Sequence, residues 1–347
     1  MQRRFREFYK SYLSFSYNVA NKNNALRILK DVESVKGKTD KKLLKSCDDY
    51  AGDVLGWKGY APWLYMYTAV SGAFQEGWIP DNYYGKVVVP ALKGNYGAVG
   101  DYNALTSRLL DSSLFPDLGY YTNGLWLLPD YTVLSEKQFI RHLREQCEKV
   151  VFKLDSSKQG RGIYFFDSSA INGEEIKKLG NGVFQSYIQQ HDFFNEIMEN
   201  SVATIRLTSV TSDTGEVSVR SCFLRVGRRE DTHIHTTSNI KLPVDLADGK
   251  LGKFGFSPRW LEIEKHPDTG FVFENQYIPN FHSMVSTVME LHRKVPFVRI
   301  IGWDLTVDQS GQPQVMEWNG GHNGIYFTEA VQGPGFIGLG LEELWKK

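Results

Sequence analysis

The spacing of apolar and polar positions changes several times along the chain, and each change marks an element. Near the start, Phe5, Phe8, Tyr9, Tyr12 and Leu13 recur at helical spacing with Arg3, Arg4, Arg6 and Lys10 around them, which predicts a basic amphipathic helix. Polar sequence with helical pieces near residues 25–35 and 41–50 follows, and the Tyr- and Trp-rich run 59–72 predicts a packed helix after Pro62. Lys86-Val-Val-Val-Pro-Ala-Leu92 reads as a short buried strand, residues 103–110 as an amphipathic helix and 124–128 as a strand. Residues 135–150 form a helix opened by the capping sequence Ser135-Glu-Lys-Gln138.

The period then shortens to two. Residues 150–154 and 162–167 are strands around a small, polar, glycine-containing loop, 155–161. Such a loop can bring backbone N–H groups and cationic side chains against phosphate oxygens. It also suits a flexible hairpin, and it lacks the Gly-Lys-Ser/Thr that opens a helix in P-loop proteins. Residues 181–190 form a strand that breaks into Gln189-Gln190-His191. Two more strands, 201–211 and 217–227, follow, with Thr204 and Arg206 on one side of the first. Residues 231–255 read as a long loop rich in His, Thr, Asn and Lys, and uncovered loops of this length are usually functional or mobile. A helix over 279–294 leads into a strand at 295–301.

That strand enters the stretch IGWDLTVDQSGQPQVMEWN, residues 301–319, which predicts strands at 302–307 and 314–318 joined at Ser310-Gly311. With a symmetric two-residue turn, Asp304 faces Glu317, and Asn319 projects from the same face one step along. Two neighbouring carboxylates repel unless a cation sits between them, and Mg²⁺ takes oxygen ligands of this kind together with nucleotide phosphates. A solvated polar hairpin face would carry the same residues, but the rest of both strands is apolar and sets the acids in a core sheet.

Composition narrows the class. With 347 residues the chain can bury a large core, and 40 basic against 40 acidic residues leave no net field to draw it to nucleic acid. The three cysteines, Cys47, Cys147 and Cys222, are widely spaced and lack metal-ligand spacing, so a reduced, cytoplasmic protein is expected. No apolar run has the length of a membrane span. The basic N-terminal helix can lie on an anionic membrane surface, dock on the body of the protein or meet a second subunit.

The order of these pieces carries a resemblance. Lys153 before a β-loop-β with Gly160-Arg161-Gly162, then the strand NGVFQSYIQQ, then an Asp strand and a Glu-x-Asn strand, is similar to the ATP-grasp superfamily. It is most similar to the sugar-transfer-associated ATP-grasp proteins, whose pattern includes a segment like FPDLGYYTNGLW before the Lys strand. The resemblance covers about residues 84–340. It implies an α/β (α+β) fold that holds a nucleotide between two α+β subdomains, preceded by a helical extension. The expected divisions are a helical region at 1–80, a preceding segment at 81–133, a lid subdomain at 134–200 and a metal-bearing core subdomain at 201–347.

The resemblance implies ATP and one or two Mg²⁺ ions. Lys153 would touch the α- and β-phosphates, and Ser156, Ser157, Gly160, Arg161 and Gly162 would form the lid. Gln185, Ser186, Tyr187 and Ile188 would be the adenine hinge, and Asp304, Glu317 and Asn319 would hold the metal. Arg206, with Lys153 and Arg161, would serve catalysis, while Arg206, Arg225, His233, His235, Asn239 and Asn323 would face the substrate. The implied activity is an ADP-forming carboxylate–amine ligase working through an acyl phosphate on a sugar acid, in capsule or O-antigen synthesis; a kinase using the same site is the alternative. Two departures stand out. Asp101-Tyr102-Asn103 lies where many relatives carry a second Lys, and HIHTTSN (233–239) replaces the usual Asp-Asn and Gly-Gly pairs, so substrate identity does not carry over.

Overall fold

A computed structural model describes residues 2–155, 157, 162–234 and 238–347. The chain forms two compact units, one of Met1–Gly94, Arg259–Glu262 and His322–Lys347, the other of Asn95–Pro258 and Ile263–Gly321.

The first unit is helical. The expected pieces at the start are one continuous helix, α1 (Gln2–Lys36), followed by α2 (Lys41–Asp49) and α3 (Ala61–Ser71). α1 buries Ala25, Ile28 and Val32 at helical spacing, whereas Tyr9, Tyr12, Leu13 and Phe15 are exposed. α3 starts on a tolerated first-turn proline, is buried on nearly every side and ends on Gly72 at φ +83°, whose N–H bonds the Thr68 carbonyl. The strand expected at 86–92 is instead helical, in two pieces, Tyr84–Val88 and Val89–Leu92. Asp81, Tyr84 and Val88 point inward, a helical period in which the Val run covers only one face, so packing overrides its strand preference. Within this unit Glu329 is buried and accepts the N–H groups of Ile79 (2.7 Å) and Gly335 (2.9 Å).

The second unit contains two sheets. The first has six strands: β1 (Asp117–Thr122), β2 (Leu125–Leu127), β3 (Val133–Leu134), β4 (Lys149–Leu154), β5 (Ile163–Asp167) and β6 (Gly182–Ser186), in the order β3-β2-β1-β6-β4-β5. The helix at Glu136–Gln146 carries the expected capping box at Ser135 and packs Phe139 and Leu143 on Trp126, Val150, Phe152 and Phe184. Because side chains alternate along a strand, Val150 and Phe152 face that core while Val151 and Lys153 face the other way.

The second sheet is β11-β10-β9-β8-β7-β12-β13, with β7 (Thr204–Thr211), β8 (Val217–Val226), β9 (Ile240–Pro243), β10 (Gly255–Phe256), β11 (Glu262–Ile263), β12 (Ile300–Val307) and β13 (Pro313–Asn319). The helix Phe281–Arg293 packs Met284, Val288 and Leu291 into the core formed by Ile205, Leu207, Ile301, Trp303 and Leu305. The stretch 231–255 is not a bare loop: β9 pairs with β8, and Val244 bridges Leu251. Its alternating Ile240 and Leu242 are buried, which drives that pairing. The strand expected from 295 begins only at Ile300.

The β12–β13 turn differs from expectation as well. Gly311 N–H bonds Asp308 O and Asp308 N–H bonds Gln312 O, both at 2.9 Å, which closes a three-residue loop with Gly311 at φ +83°. Pairing therefore runs Val307↔Pro313 to Leu305↔Val315, and then shifts so that Asp304 faces Glu317. Met316 is the extra residue of a β-bulge.

Candidate functional site

A cleft of about 130 Å³ lies in the second unit between its two sheets. One wall is the first sheet, through Val151, Lys153, Ile163, Phe165 and Gln185; the other is the second sheet, through Thr204, Arg225, Asp304, Met316 and Glu317. Tyr187 and Ile188, in the connection between the sheets, close one side, and Thr232, His233 and Ile234 another.

The acids on the lower wall do not share one environment. Asp304 is 3% exposed and accepts both Nε (2.5 Å) and Nη2 (2.8 Å) of Arg206, while Nη2 of Arg225 reaches Oδ1 at 2.7 Å. Burial alone would raise this carboxyl, but the two guanidiniums outweigh it and hold it well below the usual carboxylate range. Cation demand at Asp304 is thus met largely by arginine. Glu317 is reached from the cleft, yet the walls strip its hydration and Asp304 repels it, so its carboxyl is raised. Asn319 Nδ2 donates to Glu317 Oε1 at 3.2 Å. Among the described residues no group of three His, Cys, Asp or Glu side chains is placed to hold a metal. The donor set here is two carboxylates and an amide, hard oxygen donors that fit Mg²⁺ completed by phosphate and water.

Lys153 reaches across the cleft, and its Nζ donates to Met316 O at 3.3 Å. Burial lowers its proton affinity, and Glu317, Asp117 and Asp304 offset part of that loss. The bulge turns both Met316 and Glu317 toward the cleft, so an apolar side chain sits beside the acids on the floor.

Gln185, Ser186, Tyr187 and Ile188, the residues the resemblance assigns to a hinge, all line the cleft. Ser186 N–H is taken by Pro116 O at 2.9 Å and Tyr187 N–H by Lys149 O at 3.4 Å. Gln189, Gln190 and His191 then run beside Val307–Gln309 of the other sheet. Between them, the backbone of Ile188 makes no hydrogen bond among the described residues, which leaves its N–H and C=O for a ligand.

Of the residues the resemblance assigns to a lid, Ser157 donates to Leu154 O at 2.9 Å, and Gly162 sits at φ +72° just before β5. Ser156, Gly160 and Arg161 lie outside the described residues, as does His235. Asp155 accepts both the N–H and the Nδ2 of Asn103, which ties the Asp101-Tyr102-Asn103 stretch to the end of β4. His233 lines the cleft, its ring 5.8 Å from Phe165. Arg206 does not line it, Asn239 is buried before β9, and Asn323 belongs to the first unit, where Tyr84 and Lys93 donate to its Oδ1.

Sequence reasoning missed Asp117, whose carboxylate accepts Gln185 Nε2 at 2.8 Å and Tyr120 OH at 2.9 Å. It also missed the cleft-facing Val151, Phe165 and Met316. The first two follow from strand alternation once Lys153 is set facing inward.

The sequence matches the family model described as sugar-transfer associated ATP-grasp over residues 128–343. No curated protein shows significant sequence similarity. Among solved structures, the biotin carboxylase domain of Hydrogenobacter thermophilus 2-oxoglutarate carboxylase is 13% identical, with 64% of this chain and 40% of that chain covered and a TM-score of 0.40. N5-carboxyaminoimidazole synthetase from Staphylococcus aureus is 10% identical, with 66% and 47% covered and a TM-score of 0.39. Biotin carboxylase from Campylobacter jejuni is 13% identical, with 93% and 68% covered and a TM-score of 0.44. The chain spans 40% to 55% of the first three structures it matches, and similarity at this level carries nothing about activity.

Proposed function

The chain belongs to the sugar-transfer-associated ATP-grasp family, and from that premise we propose that it is an ATP- and Mg²⁺-dependent ligase that joins a carboxylate, on a sugar acid, to an amine. The observation that carries the reading is the carboxylate pair Asp304–Glu317 facing Lys153 across a cleft walled by two sheets. Asp304, Glu317 and Asn319 would hold Mg²⁺, which, when bound, neutralises phosphate charge as it develops. The Lys153 ammonium would bind phosphate oxygens from the opposite wall. The backbone groups of Ile188 would meet the base edge, and Met316 and Val151 would cover its faces.

In the first step an oxygen of the acceptor carboxylate takes the γ-phosphoryl group and ADP leaves. In the second an amine attacks the carbonyl carbon, the phosphate departs with that oxygen, and the amine gives up a proton. Arg225, on the cleft wall beside Asp304, would steady the carboxylate as charge builds. Ser157, Gly162 and the loop between them would exclude water that would otherwise hydrolyse the acyl phosphate. Peripheral contact with an anionic membrane is supported by the exposed aromatic residues of α1, and co-sedimentation with phosphatidylglycerol vesicles tests it.

The decisive experiment is an ADP-release screen of uronic acids and nucleotide sugars against a panel of amino acids, repeated with hydroxylamine. A hydroxamate formed with one acid supports the ligase. A phosphorylated product without hydroxamate supports the kinase instead.

A further inference from the structure

Four side chains form a row across the cleft side of the first sheet. Asp117 pairs with Gln185, Gln185 with Val151 and Val151 with Phe165, one residue from each of β1, β6, β4 and β5. Val151 and Phe165 are apolar and lie above the floor supplied by Met316. Gln185 and Asp117 end the row with polar groups. A flat heterocycle lying against the apolar half would present its edge to Gln185.

The amide of Gln185 has one orientation. A carboxylate only accepts, so Asp117 Oδ1 receives the amide NH₂ at 2.8 Å. Tyr120 OH donates to Oδ2 at 2.9 Å, which obliges the Ser107 hydroxyl to donate to Tyr120. The single carboxylate therefore fixes the direction of every bond from the helix at Asn103–Leu110 to the cleft. On the other side of the amide, Gln185 Oε1 meets no donor among the described residues, although the residue is only 4% exposed and lines the cleft.

We propose that Asp117 is a positioning residue for nucleotide selection: by holding the Gln185 NH₂ it turns Oε1 to accept from the exocyclic amine of a 6-aminopurine and to repel the carbonyl of a 6-oxopurine. This rests on the nucleotide-binding reading above. A free amide would flip to suit either base, because its NH₂ would then donate to the 6-oxo group. The lock makes the wrong base meet oxygen against oxygen, and an unpaired buried acceptor is costly.

The test is calorimetric titration of the full chain with Mg·ADP and with Mg·IDP. Wild type should prefer ADP by about tenfold or more. Asp117→Asn and Asp117→Ala should bring the ratio toward one, with ADP weaker and IDP tighter. Gln185→Leu should lose ADP affinity without gaining IDP, and Tyr120→Phe should fall between wild type and Asp117→Asn. Asp117 also lies near Lys153, but any change in phosphate affinity acts on both nucleotides and cancels in the ratio. If Asp117→Ala fails to fold, Asp117→Asn and Gln185→Leu still decide. An unchanged ratio in a folded Asp117→Asn variant, or a wild type indifferent to the base, overturns the assignment and leaves nucleotide binding standing. A wild type that binds neither nucleotide overturns both.

Discussion

Asp304 and Glu317 face each other across the β12–β13 hairpin because Met316 is an extra residue in β13. The turn holds three residues, which sets Leu305 opposite Val315; regular pairing from there would place Met316 opposite Asp304 and send Glu317 toward the core. The bulge restores the acid pair and leaves Met316 on the cleft side too. One acid of the pair, Glu317, and the apolar floor residue, Met316, are thus consecutive residues on β13.

The two acids should respond differently to neutralisation. Asp304 holds two arginines, so Asp304→Asn removes the counter-charge of a buried cluster, a loss of about 3–5 kcal/mol of stability. Glu317 instead suffers Asp304's repulsion, so Glu317→Gln should melt at the wild-type temperature or above. Both should lower Mg²⁺-dependent ADP formation by about 100-fold or more. Thermal melts and ADP release measured against Mg²⁺ concentration test this; full activity in Glu317→Gln would remove the metal assignment.

Lys153→Met should raise KM for ATP about tenfold while leaving the melting temperature nearly unchanged. Its stem is covered by the sheet, and Met keeps that packing, whereas its ammonium has only the Met316 carbonyl as a hydrogen-bond partner among the described residues. The affinity difference between ATP and adenosine should shrink in the variant. If it does not, Lys153 does not meet the phosphates.

Much of this site was legible because period-two alternation acts over a few residues. The Lys153 strand and the capping box at Ser135 are local patterns found where the sequence put them, whereas the hairpin acids face each other through the bulge and not through the two-residue turn the pattern assumed. Asp117 was not legible, since its partner Gln185 is distant in sequence and only the β1–β6 pairing brings them together. The cluster at Asp304 escaped for the same reason: Arg206 comes from β7, beside β12, and Arg225 from β8, one strand further across the sheet. Lys86–Leu92 misled because three valines favour a strand in isolation, and packing on one face made them helical.

Glu329 should impose a pH slope on the stability of the ligand-free protein. Burial outweighs the two N–H groups it accepts and raises its pKa from 4.5 to about 8. A raised acid binds its proton more tightly folded than unfolded, so its favourable contribution is complete below pH 4.5, declines as pH rises and is gone above about pH 8. Glu329→Gln should lower stability at every pH, because its NH₂ meets one of the two N–H donors, but it should flatten this slope. Melting temperatures from pH 5 to 9 compare the two; an equal slope in the variant would place the titration elsewhere.

Arg206 and Arg225 both reach Asp304, but their remaining donors differ. Arg206 spends Nε and Nη2 on the carboxylate, is 8% exposed and does not line the cleft. Arg225 spends one Nη2, lines the cleft, and its Nε has no partner among the described residues. The resemblance gave the catalytic role to Arg206; we propose Arg225 for the place at the reacting carboxylate, with Arg206 holding Asp304. Arg225→Ala should then lower kcat/KM for the acid by about 100-fold with ATP affinity within about twofold, because its interaction grows as charge develops on the acyl oxygen. Arg206→Ala should lower the melting temperature and reduce ATP- and acid-dependent constants together, since it leaves part of a buried carboxylate unpaired. Arg206→Lys cannot make the bidentate contact and should recover only part of that loss. Steady-state kinetics with ATP and acid varied separately, set beside thermal melts, distinguish the two arginines. The assignment fails if Arg225→Ala loses ATP and acid dependence equally, or if Arg206→Ala keeps wild-type stability and loses acid turnover alone.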